Sequence, residues 1–473
     1  MECIRRPPRK DERPKVSCQK QDRVETNGRS SSCQKQKTVE PKARSSSCPK
    51  NRKPSTQTMK HEYQKNKAEA LSIAIIGGGA AGFFAAIQAK GSHPKSEVVI
   101  FEKTSKILAK VKISGGGRCN VTNAETNIKK LSQAYPRGAS KLKQAFHIFN
   151  TKHTMEWFKS KGVRLVTQDD HCVFPVSQDS QTIIDCFLRE VKRMGIRIEM
   201  KSGIDEIVRQ GSQLKLLIQK GSRERIFDKV IVTTGGAPKR SGLDWLEKLG
   251  HKIVRPVPSL FTFKIPKNPI TQLMGVVVET AITNIQGTKL KGDGPLLITH
   301  WGMSGPAILK LSAYGARILS EKNYVCNLQV NWVGISNYDT VYQALIEIKH
   351  QHPNKQLGNY RPYLLPERLW LFLLDKVDLP KGKKWNELGK KGMNRLIDVL
   401  TNDIYEVRGQ TKFKEEFVTA GGISLESINF KTMESRVVPN LYFAGEVLDI
   451  DGITGGYNFQ AAWTTGYIAG QLQ

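Results

Sequence analysis

The sequence predicts an α/β fold: a mostly parallel sheet flanked by helices, interrupted by two insertions and preceded by a disordered basic tail. Three observations carry this. From Leu71 to Glu102 an apolar run, a glycine turn, a helical run and a second apolar run follow in order. Residues 259–333 hold β-branched runs such as Gly275–Ile282 and Val325–Val333, whereas residues 337–408 hold apolar residues at helical spacing in YQALIEI and ERLWLFLLDKV. Residues 1–70 contain only 14 apolar side chains, too few to offset the entropy of ordering them. The expected boundaries are a tail over 1–70, the first part of the main domain over 71–258, a β-barrel-like insertion over 259–336 and a helical insertion over 337–408. A barrel return strand and the last part of the main domain then occupy 409–473.

Within the tail, 19 Lys and Arg stand against 8 Asp and Glu, and the whole chain of 473 residues carries a formal charge of +31. Cys3, Cys18, Cys33 and Cys48 recur every 15 residues, and RSSSC occurs twice. No C-x-x-C or nearby His supports a metal there, so low-complexity expansion is the simpler reading. Cys119, Cys172, Cys186 and Cys326 show no paired spacing, which suits a reducing compartment. Nothing near Met1 resembles a secretory signal, so secretion is not expected. Ser and Arg in the tail suit a transit peptide, a chloroplast one included, and its acidic residues argue against one; the compartment stays open. RRPPRK at 5–10 is a nuclear signal, a nucleic-acid patch or plain solvated tail, and the last is favoured. The lysine-rich stretch Lys376–Lys391 is read as a solvated loop that, with the tail, offers anionic partners a surface. Nucleic acid is therefore an allowed partner but not the favoured one, and a small molecule is the expected substrate. The oligomeric state is not legible.

Residues 71–89 are 19 uncharged residues after a basic flank, long enough for a membrane span. Gly77-Gly78-Gly79 argues against a single helix. The better division is a buried parallel strand over 71–76, a turn Gly77-x-Gly79-x-x-Gly82, and a helix from Ala80 to Lys90. Val98–Phe101 is then the second strand, and Glu102 follows Gly82 by 20 residues, where an acid meets the adenosine ribose. Gly77 serves the tight turn, Gly79 lets backbone approach a pyrophosphate, and Gly82 lets helix pack on strand. Helix N–H groups at Ala80 and Ala81 face the anion, with Lys103 beside Glu102. This is a Rossmann-type dinucleotide site.

Two further segments favour FAD over NAD. FDKVIVTTGG, ending in Gly235-Gly236, resembles the second fingerprint of FAD proteins of the glutathione-reductase structural type. NLYFAGEVLD (440–449) resembles the third, in which the acid after Gly445, here Glu446, binds a ribityl hydroxyl. Gly455-Gly456 then precede a helix-like run beginning Tyr457-Asn458, whose N–H groups suit the flavin O2 side.

KISGGGRCNVTN (112–123), HCVFPVSQDSQTIIDCF (171–187), THWGMSGPAIL (299–309) and TMESRVVPNLYFAGEVLDIDGITGGYNFQ (432–460) together resemble the aminoacetone-oxidase-like NAD(P)/FAD-dependent oxidoreductase family. The resemblance spans about 400 residues and excludes the tail. It implies an FAD domain interrupted by a barrel-like and a helical domain. The family name stands for an oxidoreductase, not for a substrate.

In the glycine-rich loop, Gly116 brings backbone to the cofactor, Arg118 neutralises pyrophosphate or reduced flavin, and Asn120 contacts ribityl or ring. The catalytic residues are not identified by the sequence. The candidates are Cys119 as a thiolate beside Arg118, His300 as a general acid, and Asp449 or Asp451 as a proton acceptor. Each has a plain alternative: packing, a structural histidine, turn residues beside Gly452. Tyr457 covers the ring or packs. The histidines show no metal-ligand spacing, so no metal is expected. The expected protein is a soluble FAD oxidoreductase with non-covalent flavin, reduced by NAD(P)H or directly by an organic substrate. The rivals are an RNA-modifying flavoprotein and a non-enzymatic flavin-binding protein.

Overall fold

A computed structural model describes residues 70–473 apart from Lys220 and residues 412–417. The tail and its four cysteines, up to residue 69, lie outside the described residues.

The apolar stretch at the start of the domain is split as its glycines demand. β1 (Ser72–Ile76) is almost wholly buried, the turn occupies Gly77–Gly79, and α1 runs over Ala80–Ser92. β2 (Glu97–Phe101) pairs parallel with β1, and α2 (Gln181–Arg193) leads to β3 (Arg197–Glu199) at the sheet edge. A three-stranded antiparallel flap (Ile204–Gln210, Gln213–Ile218, Arg223–Phe227) precedes β4 (Lys229–Val232), which pairs parallel with the other side of β1. These strands are continuous Val/Ile runs because helices or loops cover both faces of a parallel sheet.

β5 (Ile253–Ser259) leaves this domain. A seven-stranded antiparallel sheet follows: β6 (Thr262–Lys264), β7 (Val277–Ile285), β8 (Lys291–Thr299), β9 (Gly302–Ser304), β10 (Val325–Asn331), β11 (Asp403–Arg408) and β12 (Gln410–Thr411). Its order is β11-β10-β7-β8-β9-β6-β12. The two ends of that order are consecutive in sequence, separated only by Gly409. The sheet must therefore roll until its edges meet. Gly409 makes the join: its N–H donates to Tyr324 O (2.8 Å) and its C=O accepts from Lys264 N–H (3.1 Å). Its φ of +98° is one that glycine adopts without strain. α3 (Pro306–Tyr314) packs against β8, close enough that a Cβ on Gly292 would meet Ala307 O at 2.1 Å.

Between β10 and β11 lie α4 (Tyr338–Gln351), α5 (Glu367–Lys376) and α6 (Lys390–Thr401). Helices and sheet share one apolar core containing Trp332, Leu345, Trp370, Leu373 and Trp385, all 0% exposed. Each such side chain contributes about 1.5–3 kcal/mol by burial.

β13 (Val418–Ile423) returns antiparallel along β5 and brings the chain home. β14 (Leu441–Phe443) joins the parallel sheet beside β4, and two short antiparallel strands, Ile428–Asn429 and Glu434–Ser435, close that edge. α7 (Tyr457–Ala469) then packs on α1. Small residues permit the approach, since a Cβ on Gly466 would stand 2.9 Å from Ala81 O. Phe84, Trp157, Phe187 and Trp463 fill the space between these helices and α2. No helix among the described residues is long and apolar enough to cross a membrane.

Candidate functional site

The C-terminal ends of β1, β2, β4 and β14 open into a cleft of about 790 Å³. Ligands of open parallel sheets bind at this end of the strands. The cleft lining includes Gly77, Gly79, Ala80, Ala81, Glu102, Lys103, Gly116, Gly235, Gly445, Glu446 and Asn458. Segments distant in sequence thus converge on one hollow.

The glycine turn fits a dinucleotide on geometric grounds. Gly77 has φ +115°, and a Cβ there would lie 2.4 Å from Thr233 O. A Cβ on Gly82 would lie 2.0 Å from Gly77 O, so this residue sets the helix-to-turn distance. Gly79 has no atom within 4 Å of the same position. The first and third glycines are filled against protein and the middle one faces open space, as a pyrophosphate requires. Side-chain capping is absent at the N-terminus of α1, which leaves its first N–H groups to an anion.

Glu102 is held rather than free. Its Oε2 accepts from Gly78 N–H (3.0 Å), and its Oε1 accepts from Thr104 N–H and Oγ1 (both 2.8 Å). The carboxylate is fixed at the mouth of the glycine turn. Across the cleft, Glu446 Oε1 accepts from Thr419 N–H (2.9 Å), and its Oε2 pairs with Lys110 Nζ (2.7 Å). Lys103, Lys106 and Lys110 line the cleft together, and their charge suits a phosphate-bearing ligand.

The second glycine pair is held by Asn120. With its amide oriented to satisfy both neighbours, Asn120 donates to Thr122 O (2.9 Å) and accepts from Gly456 N–H (3.2 Å). Asn458 closes the same turn, accepting from Gly452 N–H (2.9 Å) and donating to Gly452 O (3.0 Å). Both amides shape the turn that starts α7. Tyr457 packs edge-on to Tyr135, and its backbone O accepts from the Tyr135 hydroxyl (2.7 Å).

Arg118 lies over the Phe174 ring at 4.3 Å and donates to Gly115 O (3.1 Å). Neither Arg118, Asn120 nor Tyr457 is among the cleft-lining residues.

None of the four catalytic candidates lines the cleft. Cys119 is fully buried, and burial pushes its thiol up to about 12, with a smaller opposing effect from Ser114. At neutral pH it is protonated, hence a poor nucleophile. His300 is exposed at the β8–β9 turn, edge-on to Trp301. Asp451 is 0% exposed, forms a two-pronged pair with Arg137, and accepts from Ser259 Oγ (2.6 Å). Asp449 accepts from Arg317 (3.3 Å). Burial raises the pKa of both carboxyls, against the lowering effect of the arginines. Arg137 also donates to Ala313 O (2.8 Å) at the end of α3. Asp449 and Asp451 thus anchor the inserted sheet to the main domain.

The opposite wall comes from the inserted sheet: Leu260, Phe261, Thr262, Leu297, Thr299, Trp301, Ser304 and Thr411. Sequence reasoning did not name these side chains as site residues, nor Lys110 and Arg137. Thr262 and Thr299 sit in FTFK and LLITH, whose alternation shows two faces but not which one meets another domain.

Residues 71–472 match the family model described as the HI0933-like protein Rossmann domain. A 3-dehydro-bile acid delta(4,6)-reductase of Clostridium scindens is 28% identical over 408 residues, 84% of this chain and 98% of that protein. A ribosomal RNA dihydrouridine synthase of Haemophilus influenzae is 28% identical over 403 residues, covering 83% and 96%. Its namesake in Escherichia coli is 27% identical over 417 residues, covering 85% and 98%.

Proposed function

The chain belongs to the HI0933-like family of FAD-dependent Rossmann oxidoreductases, and from that premise we propose that it is a reductase of a conjugated ring. In this reading hydride from NAD(P)H would pass by way of non-covalent FAD to the β-carbon of a ring carbon–carbon double bond conjugated to a carbonyl, and the α-carbon would take a proton from solvent. The observation that carries the reading is the near end-to-end alignment with relatives whose names all denote reduction. A delta-reductase removes a double bond, and dihydrouridine is uridine with two hydrogens added.

Bound flavin supplies reversible two-electron hydride transfer. The chain's own residues hold and orient it. Gly77, Gly79 and Gly82 with the α1 N-terminus take the pyrophosphate. Glu102 takes the adenosine ribose, and Lys103 stands beside it. Glu446, charge-balanced by Lys110, takes a ribityl hydroxyl. Gly235, Gly445 and the Gly455-Gly456 turn let backbone come close, and the turn's shape depends on Asn120 and Asn458. Arg118 contributes positive charge near the glycine-rich loop and braces it through Gly115.

Two narrower readings remain distinct. The +31 charge and two of the relatives' names favour a base in RNA as the ring. The aminoacetone-oxidase-like motifs favour an amine as electron donor. One experiment separates them: the visible spectrum of the purified protein, followed without oxygen. Bleaching of the flavin bands by NADH or NADPH, and their return with an enone, supports the proposal. Return with a uridine-containing RNA, accompanied by dihydrouridine in the product, selects the RNA reading. Bands that persist with both nucleotides but bleach with an amine would overturn it.

A further inference from the structure

The inserted-sheet wall of the cleft carries a set of hydroxyl groups that find no partner among the described residues. Strand register places them together. Thr262 pairs directly with Thr411, and Leu297 with Ser304. Phe263 pairs with Met303, so Thr262 lies opposite Ser304. Thr299 is two residues beyond Leu297 and shares its face. The row Thr411–Thr262–Ser304–Leu297, flanked by Thr299, is therefore one face of the sheet. All five residues line the cleft. The other face, with Phe263, Met303 and Ile298, is packed in the apolar core at 0% exposure.

Thr262 is 9% exposed and Thr299 is 7% exposed. Their hydroxyl oxygens, and that of Thr411, are buried without a hydrogen-bond partner among the described residues. Elsewhere buried threonines are bonded: Thr283, Thr464 and Thr465 each donate to a backbone carbonyl. A buried hydroxyl left unpaired is costly, and valine has the same shape without the cost. Three such groups on one cleft-lining face point to a ligand rather than to the fold.

We propose that Thr262, Thr299 and Thr411 form the subsite for the substrate's ring carbonyl. Their hydroxyls donate to the carbonyl oxygen conjugated to the double bond, and the same hydroxyls can accept from a neighbouring ring N–H or O–H. This deepens the reductase reading and rests on it for the identity of the ring. The shared chemistry, a conjugated ring carbonyl, occurs both in a free enone and in a uracil base. The dinucleotide wall offers glycine backbone and charges, and the sheet wall offers neutral donors, as a ligand of this kind needs.

The test uses full-length holoenzyme and the double variant T262V/T299V. Cyclohex-2-enone, a 3-keto-4-ene steroid and a uridine-rich RNA hairpin are titrated into the oxidised protein, with the flavin difference spectrum as readout. Oxidised flavin cannot reduce them, so this arm reports binding alone. At least one probe is expected to bind the wild type, and about tenfold or more weaker to the variant, as the loss of a ligand hydrogen bond implies. The variant is expected to keep its flavin and to melt at or above the wild-type temperature. Equal binding by both proteins, no binding of any probe to the wild type, or a lower melting temperature with loss of flavin would each overturn the subsite. A second arm mixes dithionite-reduced holoenzyme with the same probes. Failure of every probe to reoxidise the flavin, alongside a binding difference, would remove the reductase reading and leave the subsite standing. Which probe responds separates the small-molecule source from the RNA one.

Discussion

On one wall of the cleft the working parts are backbone and glycine; on the other they are side chains on a sheet. At the dinucleotide wall, Gly77 and Gly82 could not carry a Cβ without meeting backbone at 2.4 and 2.0 Å. At the sheet wall, Thr262, Thr299 and Thr411 occupy ordinary strand positions whose hydroxyls have no partner among the described residues. The first wall is a geometric requirement written into residue type. The second follows from which face of a sheet the insertion turns toward the main domain. This teaches that the two walls need different tests, since one is sensitive to shape and the other to polarity.

The largest expected effect comes from uncoupling the walls. Asp451→Ala strands the Arg137 guanidinium between β5, α3 and the 449–456 segment. Breaking a buried pair costs about 3–5 kcal/mol. Thermal melting should show this as a large drop, and a near-unchanged melting point would mean the walls are held by something else. Next is Gly77→Ala, where the Cβ clash and the positive φ together cost about 3 kcal/mol. Here the protein should emerge with little bound flavin by its visible absorbance, and retention of full flavin would refute the cradle.

The sheet wall should respond in the opposite sense. Thr299→Val is expected to keep its flavin and to gain up to about 1 kcal/mol of stability, read by denaturant melts, because an unpaired hydroxyl leaves a buried site. A pH test sharpens the contrast on the dinucleotide side. Asp228 Oδ2 accepts from Ser72 N–H and Oγ (both 2.7 Å), and its Oδ1 accepts from Gln213 (2.8 Å). Burial acts to raise its pKa, but these bonds outweigh it and the net shift is downward. A depressed carboxyl contributes stability above its unfolded pKa, and that stability is lost as pH falls through the folded value. Asp228→Asn should therefore flatten the acid side of the stability curve, and an unchanged acid limb would count against the assignment. The smallest expected effect is at Cys119. With its thiol near 12, native protein at pH 8 should not be alkylated there, and Cys119→Ala should bleach with NAD(P)H at the wild-type rate. Rapid labelling, or a slowed bleach, would return this cysteine to the chemistry.

Much of the dinucleotide wall was legible in advance. Glycine spacing, two apolar runs and Glu102 are local in sequence, and local geometry dictates each of them. Glu446, which lines the cleft, was legible for the same reason. Arg118 and Asn120 show the limit: both lie in a telling motif, yet their partners are Phe174 and Gly115, and Thr122 and Gly456. Proximity in sequence to a glycine loop does not say toward which side a long or amide side chain turns.

By itself the sequence determined the α/β class, the glycine turn, and the β-rich and helical patterns of the insertions. These rest on periodicity and on backbone conformations that few residue types can adopt. Tertiary structure alone decided that the seven-stranded sheet rolls closed at Gly409, that Arg137 and Asp451 pin it to the main domain, and that three threonines from three strands share a face above the cleft. Such facts depend on pairings across more than a hundred residues of chain. A strand's alternation marks two faces, and only tertiary packing selects the one that meets the cleft.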